Sequence, residues 1–235
     1  MPTLHPAPSV RQIVRLGAFS CHLVEHENDL TLIDTNFAGS HKGVLAEVER
    51  IGKPLARVLI THAHSDHVGA LDALTAALPD VEVVASARTA RLLAGDRSLD
   101  PDEAGMKLRG GYTTVKTRPG RLVADGDVVA GFRTIATPGH AVGHVSYLHE
   151  PTGHLFSGDA LISAGGGLHV SGVFRLRFPF PYFATASLPM AVDSARRLAA
   201  QSPTAIFPVH GPAVPDAGPA LQRALAEAER AAARS

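Results

Sequence analysis

The hydrophobic pattern changes period several times along the chain. From Gln12 to Asn36, "QIVRLGAFSCHLVEHENDLTLIDTN" holds short apolar runs broken at Gly17 and at Glu27 to Asp29, the punctuation of a β-meander. "SHKGVLAEVERIG" then sets Val44, Leu45 and Val48 at helical spacing and closes on Gly52, where a left-handed cap fits. "ARVLITH" reads as a buried strand. From Asp66 the period is helical again, with Val68, Leu71, Leu74 and Leu78 on one face and Pro79 as the stop. "VEVVAS" and "ARTARLLAG" continue the alternation of strand and helix.

The second half returns to strands in "GRLVADGDVVAGFRTIAT", "GHVSYLHE" and "GHLFSGD", separated by turns at Asp125-Gly126, Pro138-Gly139 and Pro151-Thr152-Gly153. A helix over about 187 to 201, a strand at "AIFPVH" and an Ala-rich helix from about Asp216 complete it. This order predicts an α/β fold with two sheets facing each other and helices outside. Two stretches, about 95 to 118 and about 164 to 186, fit neither sheet. Residues 1–11 are Pro-rich and are expected to be loosely held, and 235 residues fit a single domain without a solenoid repeat.

Composition narrows the partners. Lys plus Arg and Asp plus Glu balance at 22 each, so no net field draws the chain to nucleic acid or to an anionic membrane, and a small-molecule substrate is expected. Cys21 stands alone, which excludes an intramolecular disulfide and a cysteine-rich zinc module and reads as a buried structural thiol. "MPTLHPAPSV" has no basic segment leading into an apolar core, and no uncharged apolar stretch is long enough to span a bilayer. A soluble, cytoplasmic protein is therefore expected.

The candidate chemistry is concentrated in "ITHAHSDHVGAL", where His62, His64, Asp66 and His67 fall on a loop between a buried strand and an amphipathic helix. On an extended segment His62 and His64 point the same way, and the turn into the helix redirects Asp66 and His67, so one metal can take the first pair and a second metal the other. Imidazole and carboxylate suit Zn²⁺, and Fe, Mn or Co accept the same donors. A His-rich sticky tract would lie in low-complexity polar sequence, which this is not. Further donors stand at later strand ends, each beside a glycine: His140 in "TPGHAVGH", Asp159 in "LFSGDAL" and His210 in "FPVHG". No G-x-S-x-G elbow and no P-loop ending in Lys-Ser/Thr competes with this site.

H-x-H-x-D-H, then T-P-G-H, then S-G-D, then a late V-H-G, in this order, resembles the metallo-β-lactamase-fold hydrolase superfamily over roughly residues 13 to 230. The resemblance implies an αββα sandwich, two mixed sheets with helices on the outer faces and a metal site at one edge. It implies that His62, His64 and His140 bind one cation, that Asp66, His67 and His210 bind the other, and that Asp159 bridges them. It further implies that Asp34, in "LTLIDTN", supports the metal loop and that His144 orients a ligand or loop. His22, His26, His149 and His154 are left as surface or structural residues. Two divalent cations sharing a carboxylate and a water lower that water's pKa to about neutrality, which suits hydrolysis of a carbonyl or phosphoryl centre without a serine or cysteine. Asp66 is the candidate for passing a proton to the leaving group.

Substrate choice points to residues 165–183, "GGGLHVSGVFRLRFPFPYF", directly after the Asp159 loop. Phe174, Phe178, Phe180, Tyr182 and Phe183 make a candidate wall for an apolar or acyl group, and Arg175 or Arg177 a candidate partner for a carboxylate. The same rings can instead pack the loop onto the body or bury a homodimer contact. Aspartate in "SGD", where some metallo-β-lactamases use cysteine, resembles the glyoxalase II and acyl-homoserine lactonase branch. Only 25 residues follow His210, too few for the glutathione-binding helical domain of glyoxalase II itself. The expected reaction is hydrolysis of an ester, lactone or thioester; β-lactam hydrolysis, iron-dependent persulfide oxygenation and phosphodiester cleavage are the alternatives.

Overall fold

In the computed structural model, which describes residues 1–104 and 106–234, the chain divides into two units, each built on its own sheet. The first unit holds residues 1–96 and 112–123. Its sheet runs in chain order: β1 (Thr3–Ala7), β2 (Val10–Arg15), β3 (Phe19–Glu25), β4 (Leu30–Ile33), β5 (Leu55–Leu59), β6 (Glu82–Ser86) and β7 (Arg121–Val123). The pairs β1 to β4 are antiparallel, and β4 to β7 are parallel. Parallel neighbours need crossovers. These carry the helices α1 (His41–Ile51), α2 (Ser65–Val68), α3 (Leu71–Ala77) and α4 (Ala87–Leu93). All four residues of β4 are buried, the polar Thr31 among them, as a strand in mid-sheet requires. As expected, α1 closes on a left-handed Gly52 whose N–H bonds the Val48 carbonyl.

Three sequence expectations change here. The helix expected from Asp66 is two helices. Ala70 N donates to the Asn36 carbonyl, and the His67 carbonyl accepts from Thr35 N, so the 35–36 turn intercepts the helical ladder. Gly69 permits that approach: a Cβ there would lie 2.5 Å from Ser65 O and 2.7 Å from Ala38 N. Residues 3–7, expected to be loosely held, form the edge strand β1, a position that tolerates proline. "GRLVADGDVVAGFRTIAT" is shared between the sheets, since β7 pairs in parallel with β6 and the chain from Ala124 belongs to the second unit.

The second unit comprises residues 97–111 and the chain from Ala124. Its strands are β8 (Val128–Val129), β9 (Phe132–Ala136), β10 (Val145–His149), β11 (His154–Gly158), the short pair β12 (Leu161–Ile162) and β13 (His169–Val170), and β14 (Ala205–Pro208). The five-stranded order is β14-β11-β10-β9-β8, antiparallel except for β11 with β14. Helices α5 (Phe180–Ala184), α6 (Leu188–Ala200) and α7 (Ala217–Ala232) follow. Val192, Ala195 and Leu198 of α6 and Leu221, Ala224 and Ala228 of α7 bury one core with Leu148, Leu155 and Ile206 of the sheet. Among the described residues, the two stretches that fitted neither sheet carry a 3₁₀ turn at Pro101–Glu103, the Tyr112 bridge to His64, the short β13 and the short α5. Among the described residues no helix is long and apolar enough to cross a membrane.

Candidate metal centre

Every donor singled out in the sequence follows the C-terminal end of a strand: His62 to His67 after β5, His140 after β9, Asp159 after β11 and His210 after β14. Four lie in the first unit and three in the second.

In the first unit, Asp34 leaves β4 in the left-handed region at φ 58 and is fully buried. Its Oδ1 accepts from Thr61 N at 2.8 Å, and its Oδ2 accepts from Thr61 Oγ1 at 2.8 Å and from His67 Nδ1 at 2.7 Å. The Thr61 proton is thus committed to Asp34, so Thr61 Oγ1 acts as acceptor toward His62 Nδ1 at 3.1 Å. Both imidazoles are thereby assigned the tautomer with the proton on Nδ1 and the lone pair on Nε2. His62 Nε2 lies 2.9 Å from His64 Nδ1. Two nitrogens held by one Zn²⁺ at about 2.0–2.1 Å would stand roughly 3 Å apart, so this pair fits a shared cation. His62, His64 and His67 are buried, whereas the Asp66 carboxylate keeps 17% exposure, 3.8 Å from His67 Nε2.

In the second unit, Asp159 Oδ2 stands 3.4 Å from His140 Nε2 and 3.0 Å from His210 Nε2. The His140 tautomer is fixed from the other side. Thr185 donates its proton to the Pro181 carbonyl, so it accepts from Ser171 Oγ at 3.1 Å, and both hydroxyl oxygens accept from His140 Nδ1, at 3.2 and 2.9 Å. The His140 Nε2 lone pair then faces a carboxylate oxygen. Two acceptors at that separation are reconciled by a cation, so the donor set fits the metal that the sequence implied.

His144 holds the Asp159 loop. Its Nε2 accepts from Asp159 N at 3.0 Å, its Nδ1 donates to Thr137 Oγ1 at 2.8 Å, Thr137 donates to Ser146 Oγ at 2.9 Å, and Ser146 donates to the Ser157 carbonyl. His140 is placed by Gly139, at φ 130, where a Cβ would collide with the backbone of Met190 and Ala191. Sequence reasoning missed Thr61, Thr137, Ser171 and Thr185. Of these, Thr61, adjacent to His62, and Thr137, the first residue of the T-P-G-H motif, carried a local signal. It also missed Tyr112, whose ring packs on His64 with centroids 4.6 Å apart.

The family model of the metallo-beta-lactamase superfamily matches residues 15–210. The chain belongs to that superfamily. It is 40% identical over 212 residues to YobT, an uncharacterized protein of Bacillus subtilis, covering 90% of this chain and 91% of that one. It is 36% identical over 132 residues to the hydroxyacylglutathione hydrolase of Gloeobacter violaceus, a match that covers 56% of this chain and 45% of that enzyme, so less than half of the relative's length is spanned. A metallo-beta-lactamase from Cronobacter sakazakii matches with a TM-score of 0.71 at 19% identity, over 100% of this chain and 93% of that one. That likeness is one of fold: α/β, with two mixed sheets and helices, the class expected from the sequence.

The metallo-β-lactamase-fold framework leaves the segment 165–183 to be read on its own contacts. Phe178 is buried, with its ring 5.3 Å from the His210 imidazole and 5.4 Å from Phe180. Phe174, Phe180, Tyr182 and Phe183 are exposed, with Tyr182 edge-on to both Phe174 and Phe183. Arg175, one of the two candidate anion partners, is bidentate to Glu227 of α7, at 2.7 and 2.5 Å. That carboxylate raises the Arg175 pKa and ties the guanidinium down. Arg177 is exposed. On β3, burial pushes the Cys21 thiol well up, with Asp34 adding to the shift, so it is the inert structural thiol expected. Burial holds its neighbour His22 down at about 3.

Proposed function

We propose that the protein is a dinuclear metal-dependent hydrolase that cleaves an ester, lactone or thioester of a small, partly apolar substrate. The observation that supports this reading is one carboxylate oxygen, Asp159 Oδ2, within 3.4 Å of His140 Nε2 and 3.0 Å of His210 Nε2. In this reading His62, His64 and His140 hold one cation, Asp66, His67 and His210 hold the other, and Asp159 serves both. Zinc is the first choice for such donors; Fe, Mn and Co are accommodated by the same set.

When bound, the cations supply the Lewis acidity that ionises water near neutral pH and polarises a carbonyl. The chain's own residues do the rest. Asp34 and Thr61 orient His62 and His67, Ser171 and Thr185 orient His140, and His144 secures the Asp159 backbone. Asp66, which retains solvent contact beside the buried histidines, passes a proton to the leaving oxygen or sulfur. Relatives that act on hydroxyacylglutathione support an acyl thioester among the substrates. The balance of 22 cationic and 22 anionic side chains supports a small molecule over nucleic acid or membrane.

Metal analysis, combined with turnover of ester, lactone, thioester, β-lactam and phosphodiester substrates with and without chelator, tests this reading. Two cations per chain and chelator-sensitive ester, lactone or thioester turnover are expected. A single iron with oxygen consumption would overturn it, as would full activity in metal-free protein.

A further inference from the structure

Within the second unit, residues 163–178 leave His210 and come back to it. At the start, Ser163 N and Ala164 N donate to the His210 carbonyl at 2.9 and 3.1 Å, and Ser163 Oγ donates to the Pro212 carbonyl at 2.6 Å. At the end, the buried Phe178 ring lies 5.3 Å from the His210 imidazole, tilted by 46°. Both the backbone and the ring of His210 are therefore set by one loop.

The outer anchor of that loop is charged. Arg175 Nη1 and Nη2 donate to Glu227 Oε1 and Oε2 at 2.7 and 2.5 Å, and the guanidinium holds the carboxyl below its ordinary range, so the pair stays ionised. Glu227 stands on α7, which is fixed in the core by Leu221, Ala224 and Ala228. Arg175 and Phe178 are held to each other. Phe178 N donates to the Arg175 carbonyl at 3.1 Å, and Gly165, at φ 84, packs against both: a Cβ there would lie 3.0 Å from Phe178 Cβ and 3.3 Å from Arg175 Cβ. A close-packed contact of this kind transmits displacement. The position of α7 thus reaches the His210 ring through Glu227, Arg175 and Phe178.

Resting on the reading of His210 as a metal ligand, we propose that Arg175 and Glu227 are positioning residues whose ion pair sets Phe178 and, through that ring, aims the His210 imidazole at its cation. Arg175 acts through Phe178 and takes no substrate carboxylate, because its planar fork is occupied by Glu227.

The same helix supplies the control. Arg196 of α6 pairs with Glu229 of α7 at 3.0 and 2.8 Å, so R196Q removes an α7 ion pair outside the loop, whereas R175Q and E227Q remove the one that anchors it. Both pairs are partly exposed, so all three variants are expected to fold, which thermal unfolding of the metal-free protein checks. In zinc titrations against a competing chelator, R175Q and E227Q should weaken one of the two cations by about 3–10-fold, less than the loss of a group bonded to a ligand. R196Q should leave both within about twofold, and the charge swap R175E/E227R should recover most of the loss. In metal-free, ¹⁵N-histidine-labelled protein the His210 ring signals, assigned by their loss in H210N, should shift in R175Q and E227Q, stay in R196Q and return in the swap. Unmoved His210 signals, equal changes in R175Q and R196Q, or two bound cations whose affinities ignore R175Q would overturn the proposal. His210 signals that shift and return in a chain that binds no second cation would uphold the positioning role and sink the dinuclear reading instead.

Discussion

Asp34 Oδ2 accepts from His67 Nδ1 at 2.7 Å, and both side chains are fully buried. The residues are 33 positions apart, joined only because β4 and β5 are parallel neighbours whose C-terminal ends release their loops at the same sheet edge. Asp34→Asn isolates the carboxylate, because asparagine also tolerates the left-handed φ of 58 that this position requires. The amide can still accept from Thr61 N, but its NH₂ then faces the donors of Thr61 and His67. Metal affinity is expected to fall about 10–100-fold. The metal-free protein should lose about 1–3 kcal/mol in urea unfolding. Unchanged metal retention after dialysis would contradict the role of Asp34.

His144 acts on the other half of the donor set through the backbone. His144→Leu leaves the buried Asp159 N–H without its acceptor and cuts the relay through Thr137 and Ser146. A loss of about 1–3 kcal/mol and weaker metal retention are expected. His144→Gln, whose carbonyl oxygen can accept from the same N–H, should recover part of both. If Leu and Gln behave alike, the hydrogen bond is not what His144 supplies.

Acid sensitivity has an identifiable source outside the metal ligands. His22 is held at about 3 by burial, against 6.5 when solvated. Above pH 6.5 both folded and unfolded chains carry it neutral. As the pH falls from 6.5 toward 3, only the unfolded chain takes up the proton, so stability is lost through that window. The slope approaches about 1.4 kcal/mol per pH unit from this residue alone. Urea unfolding of metal-free protein at stepped pH should show it, and His22→Phe should flatten it. An unchanged slope in His22→Phe would assign the acid sensitivity to other groups.

What was legible in the sequence, and what was not, divides by range. The strand and helix alternation and the donor motifs are local patterns, and the elements follow them closely, down to the Gly52 cap. The break at Gly69 was hidden because its cause, the 35–36 turn, is more than thirty residues away and competes for the same carbonyl. The assignment of β7 to the first sheet likewise depends on pairing with β6, which composition does not encode. At the site, histidines and aspartates announce themselves by type and spacing. The hydroxyls of Ser171 and Thr185, which decide where the His140 proton sits, do not, since serine and threonine are common and only their placement makes them matter.

The aromatic segment holds two kinds of residue that the sequence presented as one. Phe178 is 8% exposed and packs on His210, whereas Phe180 is 63% exposed and packs edge-on against Phe178. Phe178→Ala should therefore cost about 3–5 kcal/mol of stability, as emptying a buried aromatic site does. Metal retention should fall with it, because the His210 ring loses the surface that orients it. Phe180→Ala should leave stability within about 0.5 kcal/mol. If this ring is part of a substrate wall, KM for a hexanoyl ester should rise several-fold with KM for an acetyl ester unchanged. Equal KM values for both esters in Phe180→Ala and wild type would reduce the exposed rings to packing or to a contact between copies of the chain, which sedimentation of the same variant would separate.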